Sequence, residues 1–363
     1  MMDLDNNYKL QRDNWSALQE LYGDLYKIEK NESSEDAHVF WHYTSAKGVL
    51  GIFGEFINDP NDSTRNVEHC SMLASNIRFM NDSKEYEEGV EFYNNLSKTI
   101  DEKIKHFFDA NSSIPINDNI YLISFCGNGD LLSQWKWYGK NSGVSIKFNI
   151  DKIAYRTYEY RNDNGKIKDW DLVDPHTKPL RIKYKEKEKK EYFQTLLNQS
   201  RIHDSEAYDL VRLAFVPFCK HEGFAEEKES RLVFYIGDLD IDETIKGVFD
   251  IKYNTFEEGR IKPALNVNME LHDEGNDAHN IISEMIVGPG INQEIVFNFL
   301  IHAFDRKNYY YHNGNSGNLQ WDDFILRNDH KVYSVNCKDG KLRDAYKCEN
   351  GIVIMKSSIP FRG

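Results

Sequence analysis

The run Glu226-Glu227-Lys228-Glu229-Ser230-Arg231-Leu232-Val233 sets carboxylates directly ahead of an arginine and an apolar, β-prone stretch. A carboxylate at the start of a strand can face a cleft, accept a hydrogen bond from a ribose hydroxyl and stabilise a cationic transition state. The plainer reading is a solvated charge run, the common fate of such a cluster. Strand period two puts Glu227 and Glu229 on one face, so spacing alone leaves both as candidates. Further upstream, Trp41-His42-Tyr43-Thr44 can present His and Thr hydrogen-bonding groups between aromatic walls. The competing reading is an aromatic core strand with one satisfied histidine.

Three other segments carry usable side chains. Leu73 to Asp82 places Ser75 near one end of a short strand and Asn81 beyond the other. Asn81-Asp82 is most simply a helix cap, with pocket shaping as the weaker alternative. Ser124-Phe125-Cys126 precedes Ser133-Gln134-Trp135-Lys136-Trp137-Tyr138-Gly139. Trp135, Trp137 and Tyr138 together offer planar surface on which a nucleobase or nicotinamide ring can stack, although aromatics on a short helix more often pack a core. Cys126 reads as a structural thiol, because no local feature supplies a base. Near the end, Ser357-Ser358-Ile359-Pro360-Phe361-Arg362 offers Arg362 to a phosphate or carboxylate, or simply anchors the tail.

Several chemistries lack their signatures. The chain has no G-x-x-x-x-G-K-[ST] phosphate loop, no G-x-G-x-x-G, no H-E-x-x-H and no G-x-S-x-G. Its five cysteines are scattered and none forms a C-x-x-C pair, against a zinc ribbon or a disulfide framework.

The elements that must position these residues follow from periodicity. Helices are expected over 9–28, from Thr44 or Ser45 to Phe53, over a long stretch opened by Asn81-Asp82-Ser83, over Leu131–Tyr138, Glu186–Ala214 and Asn292–Phe304. In the last, Ile295, Leu300, Ile301 and Phe304 are expected to turn inward. Strands are expected near His38–Tyr43, Ser71–Met80, Ile120–Cys126, Gly143–Ile150, Arg231–Ile236, Ile261–Val267, Ile281–Val287 and Ile352–Met355. Residues 161–180 read as loop and 307–350 as an irregular insertion. Without a regular βαβ rhythm the class is α+β. Residues 1–36 read as a helical extension and 37–363 as one domain.

Composition sets outer bounds. Aromatics at 13% and hydrophobic residues at 40% of 363 suffice for a core and exclude a disordered chain. A net charge of −14 disfavours a non-specific coat on duplex DNA and leaves room for one local basic groove. No apolar run approaches a membrane span and the first residues do not resemble a signal peptide, so a cytoplasmic protein without membrane contact is expected.

Taken in order, the landmarks resemble a bacterial family catalogued as a domain of unknown function, family two-nine-seven-one. They are His42-Tyr43-Thr44, Asn81-Asp82 with Glu85, Ser124-Phe125, Trp135 with Tyr138, Gly143-Val144, Glu227-x-Glu229-x-Arg231, Lys262-Pro263, Ile286-Val287-Gly288-Pro289 and Ile359-Pro360-Phe361-Arg362. More distantly, a first-strand His, a Ser/aromatic strand and a later Glu look like ADP-ribosyltransferases. That resemblance implies a split mixed or antiparallel β-sheet core with flanking helices, and NAD as substrate. It implies Glu229 as the catalytic carboxylate and His42 with Thr44 at the ribose and nicotinamide end. Tyr43, Ser75, Asn81, Ser124 and Arg231 would join the NAD-binding set, with Trp135, Tyr138 or Phe79 stacking on nicotinamide. The expected activity is then transfer of ADP-ribose to a protein or nucleic-acid acceptor by a toxin or anti-phage effector. Two rival classes stand beside it. One is a non-catalytic nucleotide- or nucleic-acid-sensing module built on Trp135, Trp137 and Tyr138 with Lys136 and Lys140. The other is a nuclease that gathers Glu227, Glu229 and Asp82 around a divalent metal.

Overall fold

A computed structural model describes residues 20–31, 39–58, 66–80, 83–98, 120–139, 143–156, 158–161, 167–169, 178–199, 211–235, 247–249, 251–255, 261–271, 280–305, 333–336 and 342–360. Chain contacts divide into two compact units, each stitched from three stretches. Unit 1 takes residues 1–38, 72–127 and 154–269, and unit 2 takes 39–71, 128–153 and 270–363.

In chain order the strands are β1 Phe40–Ser45, β2 His69–Asn76, β3 Ile120–Phe125, β4 Gly143–Phe148, β5 Ile153–Arg156, β6 Tyr158–Arg161, β7 Ile167–Asp169, β8 Leu180–Arg181 and β9 Ser230–Tyr235. They continue with β10 Gly247–Phe249, β11 Ile251–Thr255, β12 Ile261–Leu271, β13 Ile282–Val287, β14 Tyr333–Asn336, β15 Leu342–Lys347 and β16 Val353–Lys356.

Unit 2 is a mixed sheet in the order β1-β4-β13-β16-β15-β14, with the β13–β16 pair parallel. Strands β4 and β13 are almost wholly apolar on the face that carries Val144, Ile146, Met285 and Val287, all buried. Helices Ala46–Asn58 and Gln293–Phe304 pack together through Phe53 and Phe56 against Phe304, with ring centroids 5.4 and 5.5 Å apart. In the second helix Val296, Phe297, Leu300, Ile301 and Phe304 are buried, whereas Ile295 is exposed, contrary to expectation. The helix begins at Gln293, so its buried stripe runs through 296, 297, 300, 301 and 304 and leaves position 295 outside it. Strands β14 and β15 fall within the segment expected to be irregular. They pair antiparallel, so the Asn- and Gly-rich stretch there contains sheet.

Unit 1 holds a sheet in the order β11-β12-β2-β3-β9-β8, with β5 paired to β12, and a three-stranded sheet β10-β6-β7. The strands expected near 120, 231 and 261 are present, and β7 lies where the polar sequence suggested loop. Helices Ser83–Ser97 and Glu186–Gln199 converge on Phe215, which is fully buried with Tyr93, Tyr192 and Phe193 within 5.4–6.1 Å. Helix 20–31 joins this core by one stripe, Leu21, Tyr22, Leu25 and Tyr26, all buried. The Tyr22 hydroxyl donates to the Leu213 carbonyl at 3.4 Å, and its ring meets Phe218 edge-on at 5.7 Å. At the helix end, Glu29 accepts from the Arg181 amide at 3.1 Å and pairs with the Lys183 ammonium. Together these sheets and flanking helices make the α+β class expected.

Tyr22→Ala is expected to cost about 3–5 kcal/mol, the range for truncating a large buried aromatic. Urea unfolding checks it, and an unchanged midpoint would mean that helix 20–31 is not part of the unit 1 core.

Candidate active site

Unit 1 buries a cluster of five charged residues drawn from four local structures. Glu85 lies in the first turn of helix Ser83–Ser97, Lys220 follows the turn Val216–Phe218, Glu227 ends the turn Glu222–Glu227, and Glu229 and Arg231 frame the start of β9. Arg231 is 1% exposed. Its Nε donates to Glu229 Oε1 at 2.7 Å, Nη1 to the Pro217 carbonyl at 2.8 Å, and Nη2 to Glu85 and to Glu229 Oε2. Lys220 donates to Glu227 Oε2 at 2.8 Å and to Glu229 Oε2 at 2.7 Å, with Glu85 Oε2 3.8 Å away.

Backbone bonds hold these groups in place. The Glu229 amide donates to the Tyr184 hydroxyl at 2.8 Å, and the Glu229 carbonyl accepts from Ile182 at 2.9 Å. Lys228 takes a left-handed conformation at φ 44° and ψ 48°, an uncommon state for a residue with a side chain. That turn reverses the chain between Glu227 and Glu229, so both carboxylates reach one ammonium. The expectation that they share a face through strand period two gives the right neighbourhood for the wrong reason, since both precede the strand, which begins at Ser230. Gly127 allows the turn its close approach. A Cβ there would lie 2.9 Å from Lys228 Cβ, while its amide donates to the carbonyls of Glu227 and Lys228.

The two carboxyls titrate in opposite directions. Burial pushes Glu229 up, but the charges of Arg231 and Lys220 outweigh it and hold the group down at about 2. At Glu227 burial dominates and the carboxyl lies above its ordinary value, despite Lys220. Burial also disfavours the charge on Lys220, yet Glu229 and Glu85 raise its affinity for the proton. The Cys126 thiol is pushed up by burial and by Glu229 and Glu227, which makes it a poor nucleophile.

The remaining predicted residues divide between the units. In unit 1, Ser75 is half-buried on β2 opposite Leu122, and Ser124 lies opposite Arg231 across β3 and β9. Phe79 is exposed. In unit 2, alternation along β1 puts His42 and Thr44 on the face of Ile146 and Val144, and Tyr43 on the opposite face with Ser145. His42 and Thr44 are half-buried. Thr44 Oγ1 crosses over Gly48, where a Cβ would come within 1.9 Å. Tyr43 is buried and its hydroxyl is used twice, donating to the Asn128 carbonyl at 2.9 Å and accepting from the Leu131 amide at 2.8 Å.

Trp135 opens a π-helical turn, Trp135–Gly139, after the short turn Leu132–Gln134. Its ring is buried edge-on against Tyr43 at 4.7 Å, and its indole donates to Asp130 at 2.9 Å. A Cβ on Gly288 would fall 2.7 Å from the ring. Trp137 is 73% exposed, so the two indoles do not form one planar surface. Asp130 also accepts from Ser357 and Ser358, which ties the chain after β16 to the π-turn. Asn81, Asp82, Lys140 and Arg362, and the side chain of Tyr138, lie outside the described residues.

Comparison with known proteins bears on the cluster. A family model described as a protein of unknown function (DUF2971) matches residues 134–232, the segment that carries Lys220, Glu227, Glu229 and Arg231. The chain is similar to that family over this segment, in keeping with the resemblance read from its landmarks. No curated protein and no solved structure matches. Among the described residues no helix is long and apolar enough to cross a membrane.

Arg231→Met leaves Glu85 and Glu229 without their shared cation and is expected to cost about 3–5 kcal/mol in chemical denaturation. Acid sensitivity follows from Glu229. Its pKa is depressed, so its contribution is full above the ordinary 4.5 and is lost as pH falls towards about 2. Glu227, raised, contributes in the opposite sense, with stability present at low pH and lost as pH rises through its folded value. Melting temperatures from pH 6 to pH 2 should therefore fall less steeply in Glu229→Gln than in the parent chain.

Proposed function

We propose that this chain is an ADP-ribosyltransferase-like enzyme that takes NAD as substrate and breaks the bond between ribose C1′ and nicotinamide. The observation that carries the reading is the Glu227–Glu229 pair, two carboxyls on one ammonium whose surroundings push their titration apart. Carboxyls separated in this way are how a site keeps one group charged and another ready to exchange a proton. Stability alone is a weak account of the cluster, since buried ion pairs rarely outperform well-packed apolar side chains.

Three carboxylates against two cations leave the cluster one unit negative when all are ionised. Negative charge held in a buried, pre-arranged form suits a reaction whose transition state gains positive charge at C1′. Glu229 uses three of its roughly four acceptor positions on Arg231 and Lys220, and a ribose hydroxyl would take the fourth. The C1′–N electron pair departs with nicotinamide, a lone pair on the acceptor attacks C1′, and the acceptor's proton passes to a base. The expected class is a toxin or anti-phage effector with a protein or nucleic-acid acceptor. With a net charge of −14, a nucleic-acid acceptor would have to be met by a local basic surface.

The nuclease reading is less well supported. Lys220 and Arg231 occupy the space among Glu85, Glu227 and Glu229 that a divalent cation would need.

Purified protein incubated with NAD and bacterial lysate, protein, DNA or RNA is expected to release nicotinamide. Glu229→Gln should lower the rate at least tens-fold while the protein stays folded, on the scale of a lost electrostatic contact. The absence of both NAD binding and nicotinamide release with every acceptor class would sink the proposal.

A further inference from the structure

We infer that Lys220 is a positioning residue of this site, the group that sets the relative placement and charge of Glu227 and Glu229. The inference rests on the reading that these carboxylates do the chemistry, and it names a residue for which the sequence offered no role. Of the two cations in the cluster, Lys220 alone contacts both acids. Arg231 is spent on Glu229, Glu85 and the Pro217 carbonyl.

The ammonium is itself held on several sides. Its backbone amide donates to the Lys183 carbonyl at 3.2 Å, and its Nζ lies 4.8 Å from the centre of the Phe224 ring. Every element around it contributes a charged or titratable group. Glu85 comes from helix Ser83–Ser97, Glu227 from the turn Glu222–Glu227 that follows, Glu229 and Arg231 from the start of β9, Tyr184 from the segment after β8, and Cys126 from just after β3. Tyr184 and Cys126 are both shifted towards their neutral forms, so neither replaces the lysine as a balancing charge. Each carboxylate accepts from Lys220 through its Oε2, which brings both acids to one nitrogen.

This arrangement predicts a readout separate from turnover. In full-length protein labelled with 13C at glutamate carboxyls, Glu227 is identified by the signal lost in Glu227→Gln. Lys220→Met should raise the Glu227 titration midpoint by about one pH unit, a tenfold change in proton affinity. Lys220→Arg, which keeps the charge but not the compact ammonium, should restore only part of it. In the nicotinamide-release assay the acidic inflection of the pH profile should move the same way. An unchanged Glu227 midpoint in folded Lys220→Met overturns the inference, whatever the activity. If Lys220→Met does not fold, the Lys220 Nζ resonance is compared between the parent chain and Glu227→Gln. A displaced signal supports the coupling and an unmoved one overturns it. Failure of the parent chain to release nicotinamide would instead strike the enzyme reading, and the titration would still decide whether Lys220 holds the pair.

Discussion

Burial of the Arg231 guanidinium is the constraint on which the rest of unit 1 depends. A guanidinium stays charged in a protein, so a fully enclosed one must be surrounded by acceptors. Glu229, Glu85 and the Pro217 carbonyl supply them, from positions 2, 146 and 14 residues away in sequence. Each supplier then needs its own support. Glu85 is delivered by helix Ser83–Ser97, whose Gly89 lets it approach Val216, where a Cβ would lie 3.0 Å from the carbonyl oxygen. Pro217 sits in a turn backed by Phe218, which helix 20–31 meets through Tyr22. Glu229 is pinned by Tyr184 and Ile182, and the neighbouring Lys183 is paired with Glu29. Helix 20–31 is thus two contacts away from the carboxylates.

The same electrostatics explain why the cluster has one lysine and not two arginines. Glu229 already receives the fork of Arg231, a strong and rigid interaction. A second rigid fork would compete for the same oxygens. A lysine ends in a compact charge with three donors, and here it serves two carboxylates at once. Glu227, which among the described residues pairs with Lys220 alone, feels burial more than attraction, whereas Glu229, served twice, feels the reverse. The divergence between the two acids is therefore a consequence of how many cations reach each one.

Much of the frame was legible from pattern. Alternating Val144, Ile146 and Phe148 marked β4, and the apolar spacing from Gln293 marked its helix, because burial of one face writes a period into the sequence. The misses have physical causes. Ile295 is apolar and helical yet exposed, and the adjacent Val296 and Phe297 take the inward positions. The short strand β7, Ile-Lys-Asp, lies in a polar stretch and is too short to write a period into the sequence, so composition reads it as loop. Of the E-E-K-E run, Glu226 and Lys228 are exposed as expected for solvated charge, and Glu229 is buried. The difference is made by Arg231, which is followed on its strand by the buried Leu232, Val233 and Phe234 and cannot be enclosed without a partner nearby.

Lys220 was the residue sequence reasoning passed over, although a signal was present. It follows Val216-Pro217-Phe218-Cys219, an apolar run whose members are all buried. A lysine at the end of such a run either snorkels to solvent or meets acids inside. Nothing local in sequence distinguishes these outcomes, because its acids are seven and nine residues away and beyond a left-handed turn at a lysine, a residue type that rarely adopts it. The geometry at Lys228 converts a charge run into a pair of carboxylates aimed at one nitrogen. Gly127, on the facing strand end, is what leaves room for it. Site and frame are therefore specified together: a side chain at position 127 would crowd the turn, and without the turn Glu227 would leave Lys220 to Glu229 alone.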